Sequence, residues 1–338
     1  MDAAEAAGLV YVSDEMPGIR RVRRGRGWSY HHSDDSLVKG EERQRVEDLV
    51  IPPAWTEVWI SPLPEGHIQA TGRDEAGRKQ YIYHPRWREA RDTAKFSRMV
   101  PFGEALPGLR ACAEADLQLP DLSHRKVTAL AVRLLDQTLI RIGNHEYAEA
   151  GSFGLTTLRD RHVTFEGGHV RFTFVGKSGK DQDVTLEDAR LAALVKACRD
   201  IPGYTLFQYF HERGKDSIDS GDVNAYLRQA TGERFSAKDF RTWGGTVLAA
   251  KALRARGEAE TDKQADKHVL AVTREVAAAL GNTVATARAY YIHPLIAESY
   301  RAGTLLAFLK HRNAGNTPAG LEPEEAAVIA LLKEAEGA

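Results

Sequence analysis

The feature that most constrains this chain is a change in the spacing of its apolar residues near residue 95. Ahead of that point, short β-branched and aromatic runs recur at residues 10–13, 27–31, 55–61, 67–71 and 80–84, each bounded by Gly, Pro or charged turns. That pattern predicts an antiparallel, strand-rich region. The stretch Gly72-Arg73-Asp74-Glu75-Ala76-Gly77, with a glycine at each end, predicts a hairpin loop between the last two runs. Residues 85–102 are charged, hold few apolar runs and suit a linker. Beyond them the period becomes helical. Val127, Leu130, Leu134, Leu135 and Leu139 form one stripe across residues 123–142, a helix closed by Arg141 and stopped at Gly143-Asn144.

Within the helical half the period returns to two between residues 156 and 185. Runs at 162–165, 169–175 and 182–184 are separated by Glu166-Gly167-Gly168 and by Gly176-Lys177-Ser178-Gly179, which predicts a three-stranded meander. Helices resume at Thr185, where Thr185 and Asp188 read as an acidic capping box. Another begins near Ser236 with Asp239 three residues on, a long one covers 261–280 and stops at Gly281, and a last one starts near Thr283. The expected fold class is therefore α+β: a small antiparallel β-rich N-terminal domain, residues 1–92, plus a mainly α-helical domain, residues 93–338, that carries a three-stranded β-meander.

Composition excludes several function classes. The chain has 338 residues, 43% of them apolar, enough for a sizeable core, and a net charge of −1. The charge is unevenly spread. Arg20, Arg21, Arg23, Arg24 and Arg26 lie in a segment without acidic residues, either a solvated loop or a nucleic-acid contact. The end carries Glu322, Glu324, Glu325, Glu334 and Glu336 against Lys333. Cys112 and Cys198 are far apart, which makes neither a disulfide framework nor a zinc site and fits a reducing cytoplasm. No apolar run approaches a membrane span and the start lacks a signal-type stretch, so a soluble cytoplasmic protein is expected. There is no Walker-type phosphate loop, no Gly-x-Ser-x-Gly elbow and no carboxylate cluster for a metal.

What remains is a set of cations and tyrosines at element ends: Arg141 in Arg141-Ile142-Gly143-Asn144, Lys177 at a hairpin tip, Arg241 in Lys238-Asp239-Phe240-Arg241, then Asn282 and Tyr291. Singly, each has an ordinary reading. Asp239 offers Arg241 a local ion pair, a hairpin-tip lysine is commonly just solvated, and a tyrosine in an apolar helix is commonly core.

Jointly, their order resembles the poxvirus-like type IB topoisomerases, in particular the bacterial branch. The likeness extends to Gly154-Leu155-Thr156-Thr157-Leu158 with Tyr147 and His162, and to Arg24-Gly25-Arg26-Gly27-Trp28-Ser29-Tyr30, Ile51-Pro52-Pro53-Ala54-Trp55, Ala70-Thr71-Gly72-Arg73-Asp74 and Gly77-Arg78-Lys79-Gln80-Tyr81 in the first half. It covers residues 18 to about 300. The resemblance implies that Tyr291 is the nucleophile, Arg141 and Arg241 phosphate clamps and Lys177 a general acid, with Lys180 as rival donor and Tyr290 as decoy nucleophile. Asn282 stands where poxvirus members use histidine. The resemblance also implies a double-stranded DNA partner contacted through Arg73, Lys79, Gln80, Tyr81, Tyr83 and Tyr147, a monomer, a nucleoid location, and no metal or nucleotide cofactor.

The chemistry needs these residue types. Attack on a phosphodiester builds negative charge on the non-bridging oxygens, and guanidiniums stay charged while donating paired hydrogen bonds to them. A phenol, with an ordinary pKa near 10, is activated by nearby cations. The departing 5′ oxygen needs a proton, which a lysine can supply. One tension follows from spacing: nine residues of straight helix between Asn282 and Tyr291 span about 13 Å and put the two on opposite faces. Either Asn282 lies in the turn before the helix or the tyrosine segment reorients on DNA. The second is expected to contribute, so that Tyr291 would sit away from the arginines in the free protein. The alternative family is the tyrosine recombinase, which by resemblance presents histidine where Asp239 stands here and has a helical N-terminal domain.

Overall fold

The computed structural model describes residues 7–25, 27–87, 96–311 and 317–337. The chain divides into two compact units, Met1–Ser97 and Arg98–Ala338.

The first unit is built on five antiparallel strands, β1 (Ile19–Arg24), β2 (Gly27–His31), β3 (Thr56–Ile60), β4 (Ile68–Arg73) and β5 (Lys79–Tyr83), in the order β2-β1-β3-β4-β5. Ile19, Tyr30, Val38, Val46, Ile60 and Ala70 form its core, with Trp28, Trp55 and Ile82 packed around them. The run at 10–13 makes only an isolated bridge from Val10 to Gly66 instead of a strand. A helix, α1 (Gly40–Asp48), escaped the sequence reading because Val46 is its one buried side chain, so there was no apolar stripe to read. Arg20, Arg21, Arg23 and Arg24 of the arginine run are not in a loop but in β1, and Arg26 lies outside the described residues. Arg21 donates to the carbonyls of Ile51 (3.1 Å), Pro52 (3.1 Å) and Trp55 (2.7 Å) and lies 4.1 Å from the Trp28 ring centre, so it holds the Pro-Pro segment in place.

The second unit is mainly helical. It opens with α2 (Met99–Leu117), whose start falls in the segment expected to be a linker. Pro101 sits in the first turn, where a missing N–H costs little, and Met99, Val100, Phe102, Leu106 and Leu109 are buried. Then come α3 (His124–Thr138), the short α4 (His145–Glu149), and the antiparallel meander β6 (Val163–Glu166), β7 (His169–Val175) and β8 (Asp181–Leu186). Thr185 belongs to β8. The following α5 (Ala189–Arg199) is capped instead by Asp188, which accepts from the amides of Arg190 and Leu191. A hairpin of β9 (Gln208–His211) and β10 (Gly214–Ser217) precedes α6 (Ser220–Thr231), α7 (Ala237–Arg256), α8 (Asp262–Ala279), α9 (Val284–Tyr290), α10 (Pro294–Arg301), α11 (Thr304–His311) and α12 (Pro323–Gly337). The α+β class and the meander stand as the sequence predicts.

The acidic end is not a tail. Residues 325–332 of α12 are all buried, and the helix packs against α2 and α7. Three glutamates at its start are partnered: Glu322 by Lys251, Glu324 by Arg254 (2.7 Å) and Glu325 by Arg110 (2.7 Å). Among the described residues no helix is long and apolar enough to cross a membrane.

Candidate active site

Three chain segments converge on Arg241. It lies in the second turn of α7 and is only 4% exposed. The local partner expected for it is occupied elsewhere: Asp239 accepts from the Ser236 amide (2.7 Å) and hydroxyl (3.0 Å), closing the capping box, and pairs with Arg98 at 3.7 Å. Arg241 turns the other way. Its guanidinium donates to the Leu139 carbonyl and to the Leu280 carbonyl (2.7 Å).

Those two carbonyls are the terminal acceptors of α3 and α8. Helix α3 stops at Thr138 because Leu139 takes the left-handed conformation (φ 54°), so Arg141 follows the helix instead of closing it. Helix α8 stops at Gly281 (φ +59°), where the Asn282 amide reaches back to Ala277 (2.8 Å). A buried cation set between two helix C-termini meets the negative ends of both dipoles, which stabilises it without a carboxylate. The compensation is partial. Burial, and then the nearby Arg141, hold Arg241 down at about 10, with the Tyr291 phenol offsetting part of the fall.

Arg141 is placed by a close backbone crossing. The extended segment that carries it is bonded to the loop after α4: Leu155 N to Arg141 O and Thr156 N to Ile142 O, both 2.7 Å. A Cβ on Gly154 would stand 2.5 Å from the Arg141 carbonyl, so the crossing needs glycine there. The Arg141 guanidinium then donates to the Asn282 carboxamide oxygen. Asn282 thus lies in the turn before α9, the first of the two arrangements its spacing allowed. Tyr291 caps the far end of α9, and its ring centre is 5.1 Å from the Arg241 guanidinium carbon. The expectation that Tyr291 would stand away from the arginines in the free protein is overturned as regards Arg241. Physically, α9 is only seven residues long and packs on α8, so both its ends come back to the Leu280 region. The α7 glycines permit this: a Cβ on Gly245 would lie 2.5 Å from the Tyr291 carbonyl oxygen. Thr246 donates to that same oxygen (3.3 Å) and accepts from the His293 amide (3.0 Å).

Two donors in this site are buried and have no partner among the described residues: Nε of Arg241 and Nδ2 of Asn282. Leaving such groups unmet costs roughly 1–3 kcal/mol each, so they mark where an external acceptor belongs.

The other predicted residues are placed as follows. Lys177 is exposed at the tip between β7 and β8, in a turn held by Gly176 N to Lys180 O (2.7 Å), and Lys180 is half-buried. Tyr290 is 45% exposed and Tyr147, on α4, 51%. In the first unit Tyr81 and Tyr83 stack at 5.8 Å on one face of β5, where Lys79 pairs with Asp14 (2.7 Å). Gln80 points to the opposite face and donates to Asp74 (2.9 Å), while Arg73 pairs with Glu57 (2.8 Å). Sequence reasoning missed Leu139 and Leu280, whose role is a backbone carbonyl and leaves no side-chain signal. It also missed Thr246, five residues after Arg241 on the same helix.

The fold and the site together define an α+β protein whose helical unit gathers anion-seeking donors around a tyrosine. The chain matches the family described as eukaryotic DNA topoisomerase I, catalytic core, over residues 84–301, and bacterial DNA topoisomerase IB, N-terminal domain, over residues 27–74. It is 30% identical over 308 residues to the DNA topoisomerase 1B of Acanthamoeba polyphaga mimivirus, covering 88% of this chain and 91% of that relative. The chain belongs to the type IB DNA topoisomerase family.

Proposed function

We propose that the protein relaxes supercoiled double-stranded DNA by cutting one strand through Tyr291 and resealing it, with a 3′-phosphotyrosyl ester between the two steps. The observation that carries this reading is the pair of donors unmet among the described residues, Arg241 Nε and Asn282 Nδ2, with Asn282 held by Arg141 and the Tyr291 ring packed on Arg241. A scissile phosphate set there would take those donors with its non-bridging oxygens, and the Arg141 fork would complete the clamp. Tyr291 Oη then bonds to phosphorus as the P–O5′ bond breaks, and the phenolic proton goes to water. Lys177, free of carboxylates among the described residues, supplies the proton that O5′ takes up. The ester keeps roughly the energy of the original bond, so resealing by the 5′ hydroxyl requires no nucleotide. Lys79, Tyr81 and Tyr83 on one face of β5, Gln80 on its other face, Arg73 at the end of β4 and Tyr147 on α4 are the proposed DNA contacts, in a chain that acts as a monomer.

The test is plasmid relaxation with EDTA present and ATP absent. Wild type relaxes the plasmid and leaves a detergent-trapped covalent adduct, Tyr290→Phe does both, and Tyr291→Phe does neither. An adduct that persists in Tyr291→Phe and disappears in Tyr290→Phe moves the nucleophile by one residue and refutes the assignment.

A further inference from the structure

We propose that Gln182 is a positioning residue that fixes Lys177 relative to the phosphate clamp; this rests on the reading of Lys177 as the proton donor. Gln182 lies on β8 opposite Phe174 of β7. Its side chain occupies the space beside two glycines far apart in sequence. A Cβ on Gly176 would stand 2.9 Å from Gln182 Cγ, and a Cβ on Gly281 would stand 2.5 Å from both its Oε1 and its Nε2. Gly176 immediately precedes Lys177, and Gly281 immediately precedes Asn282. One side chain is therefore wedged between the residue before the proposed acid and the residue before the proposed amide donor.

The wedge is itself anchored. Gln182 Nε2 donates to the Asp181 carbonyl at 3.0 Å, which fixes the direction of the amide. The turn bonds from Gly176 to Lys180 (2.7 Å) and from Gly179 to Gly176 (3.2 Å) are internal to the hairpin. They set its shape, not its place. The bond from Phe153 N to Val175 O (2.8 Å) secures it toward the Gly154 loop, and Gln182 secures it toward the Asn282 turn. Proton transfer to O5′ needs hydrogen-bond distance, and misplacement by about 1 Å can cost on the order of a hundredfold. An exposed lysine on a long flexible stem reaches that distance reproducibly only if its hairpin is indexed to the phosphate.

The experiment uses the leaving group. A cleavage site is first mapped on duplex DNA from the trapped adduct. A duplex is then made with sulfur replacing O5′ at that bond. Cleavage of this substrate forms the Tyr291 Oη–P bond and breaks P–S, releasing a thiolate. A thiol pKa near 8.5 lies far below that of an alcohol, so the thiolate departs without an acid. Lys177→Ala is expected to lose about 10²–10⁴ in rate on the oxygen substrate and to recover on the sulfur one. Gln182→Ala is expected to be roughly tenfold slow on oxygen, equal to wild type on sulfur and unchanged in DNA affinity, while Gln182→Met, which keeps the length of the wedge, restores the oxygen rate. Gln182→Ala cutting the oxygen substrate at the wild-type rate, or slow with both leaving groups, overturns the proposal. Lys177→Ala that sulfur does not rescue overturns the acid assignment instead.

Discussion

Arg110 and Arg241 are both drawn into the helical unit, and their surroundings are opposite in kind. Arg110, on α2, spans two carboxylates: Asp136 through Nε (2.8 Å) and Nη2 (2.9 Å), and Glu325 through Nη1 (2.7 Å) and Nη2 (2.8 Å). Glu325 also accepts from Trp243 Nε1 (3.0 Å) and from the Glu322 amide (2.9 Å). The two carboxylates outweigh burial and push Arg110 above its ordinary value. Among the described residues Arg241 has no carboxylate partner and keeps Nε unmet; it faces a second guanidinium and falls to about 10. A closed network of this kind ties helices together. An enclosed cation with a spare donor is held in readiness for an anion from outside.

That contrast is broken most sharply by removing each arginine. Arg241→Ala is expected to slow single-turnover DNA cleavage by about 10²–10³. The two helix-end carbonyls lose a donor, at roughly 1–3 kcal/mol each, offset in part by removal of a buried cation that no carboxylate pairs among the described residues. Arg110→Ala leaves Glu325 without its cation and Asp136 with Arg133 alone, and should cost about 3–5 kcal/mol of stability, with cleavage per folded molecule within a few-fold of wild type. Denaturant titration beside a cleavage time course separates the two. An Arg241→Ala protein that unfolds early yet cuts normally would make Arg241 another structural arginine.

The next effect is smaller and probes how α12 bears on α7. Trp243 is two residues past Arg241 and faces away from it, toward α12: its ring lies where a Cβ on Gly103 of α2 would stand, 2.5 Å off, and its N–H meets Glu325. Trp243→Phe keeps most of the ring packing and removes that one donor. The expected loss is on the order of 1–3 kcal/mol for a hydrogen bond to a charged acceptor, read as a lower denaturation midpoint. Cleavage at saturating DNA should be unchanged. A cleavage defect without a stability defect would instead tie α12 to the chemistry.

The same contrast explains what the sequence could disclose. The five-residue set was legible because its members sit in distinctive neighbourhoods, Arg141-Ile142-Gly143-Asn144 and Lys238-Asp239-Phe240-Arg241 among them. The meander was legible because Val170, Phe172 and Phe174 alternate with exposed residues along β7. Other parts left no such mark. The end of α3 depends on a leucine in a left-handed conformation, which no residue preference announces. The end of the chain showed only an excess of glutamates, because those that bind it to Lys251, Arg254 and Arg110 find their partners far away in sequence. Of the two arrangements its spacing allowed, a reorientation of Tyr291 on DNA was expected to contribute, whereas the turn at Asn282 and the brevity of α9 bring Tyr291 to Arg241 without one.

The smallest expected effects come from pH, and they divide the two regions again. At alkaline pH the site should weaken before the fold: burial and the nearby Arg141 hold Arg241 below its ordinary value, so its charge is the less secure, whereas Arg110, pushed upward, keeps its charge and holds α12 in place. At acid pH the order reverses, for reasons outside the clamp. Burial lowers His162 to about 4, with Arg161 and Arg159 adding to it, and burial lowers His293 to about 4. Both are neutral when folded and gain protons in the unfolded chain near 6.5, so stability is intact above 6.5 and declines as pH falls from 6.5 toward 4. Glu325, lowered by Arg110 in spite of its burial, adds a loss at still lower pH, as the folded carboxylate is protonated. Melting curves at pH 7, 6, 5 and 4, with circular dichroism at pH 10.5, test both limbs. A melting temperature that holds from pH 6.5 to 5 would mean that neither histidine is kept neutral. An unfolding transition that precedes loss of cleavage near pH 10 would mean that Arg110 is no better protected than Arg241.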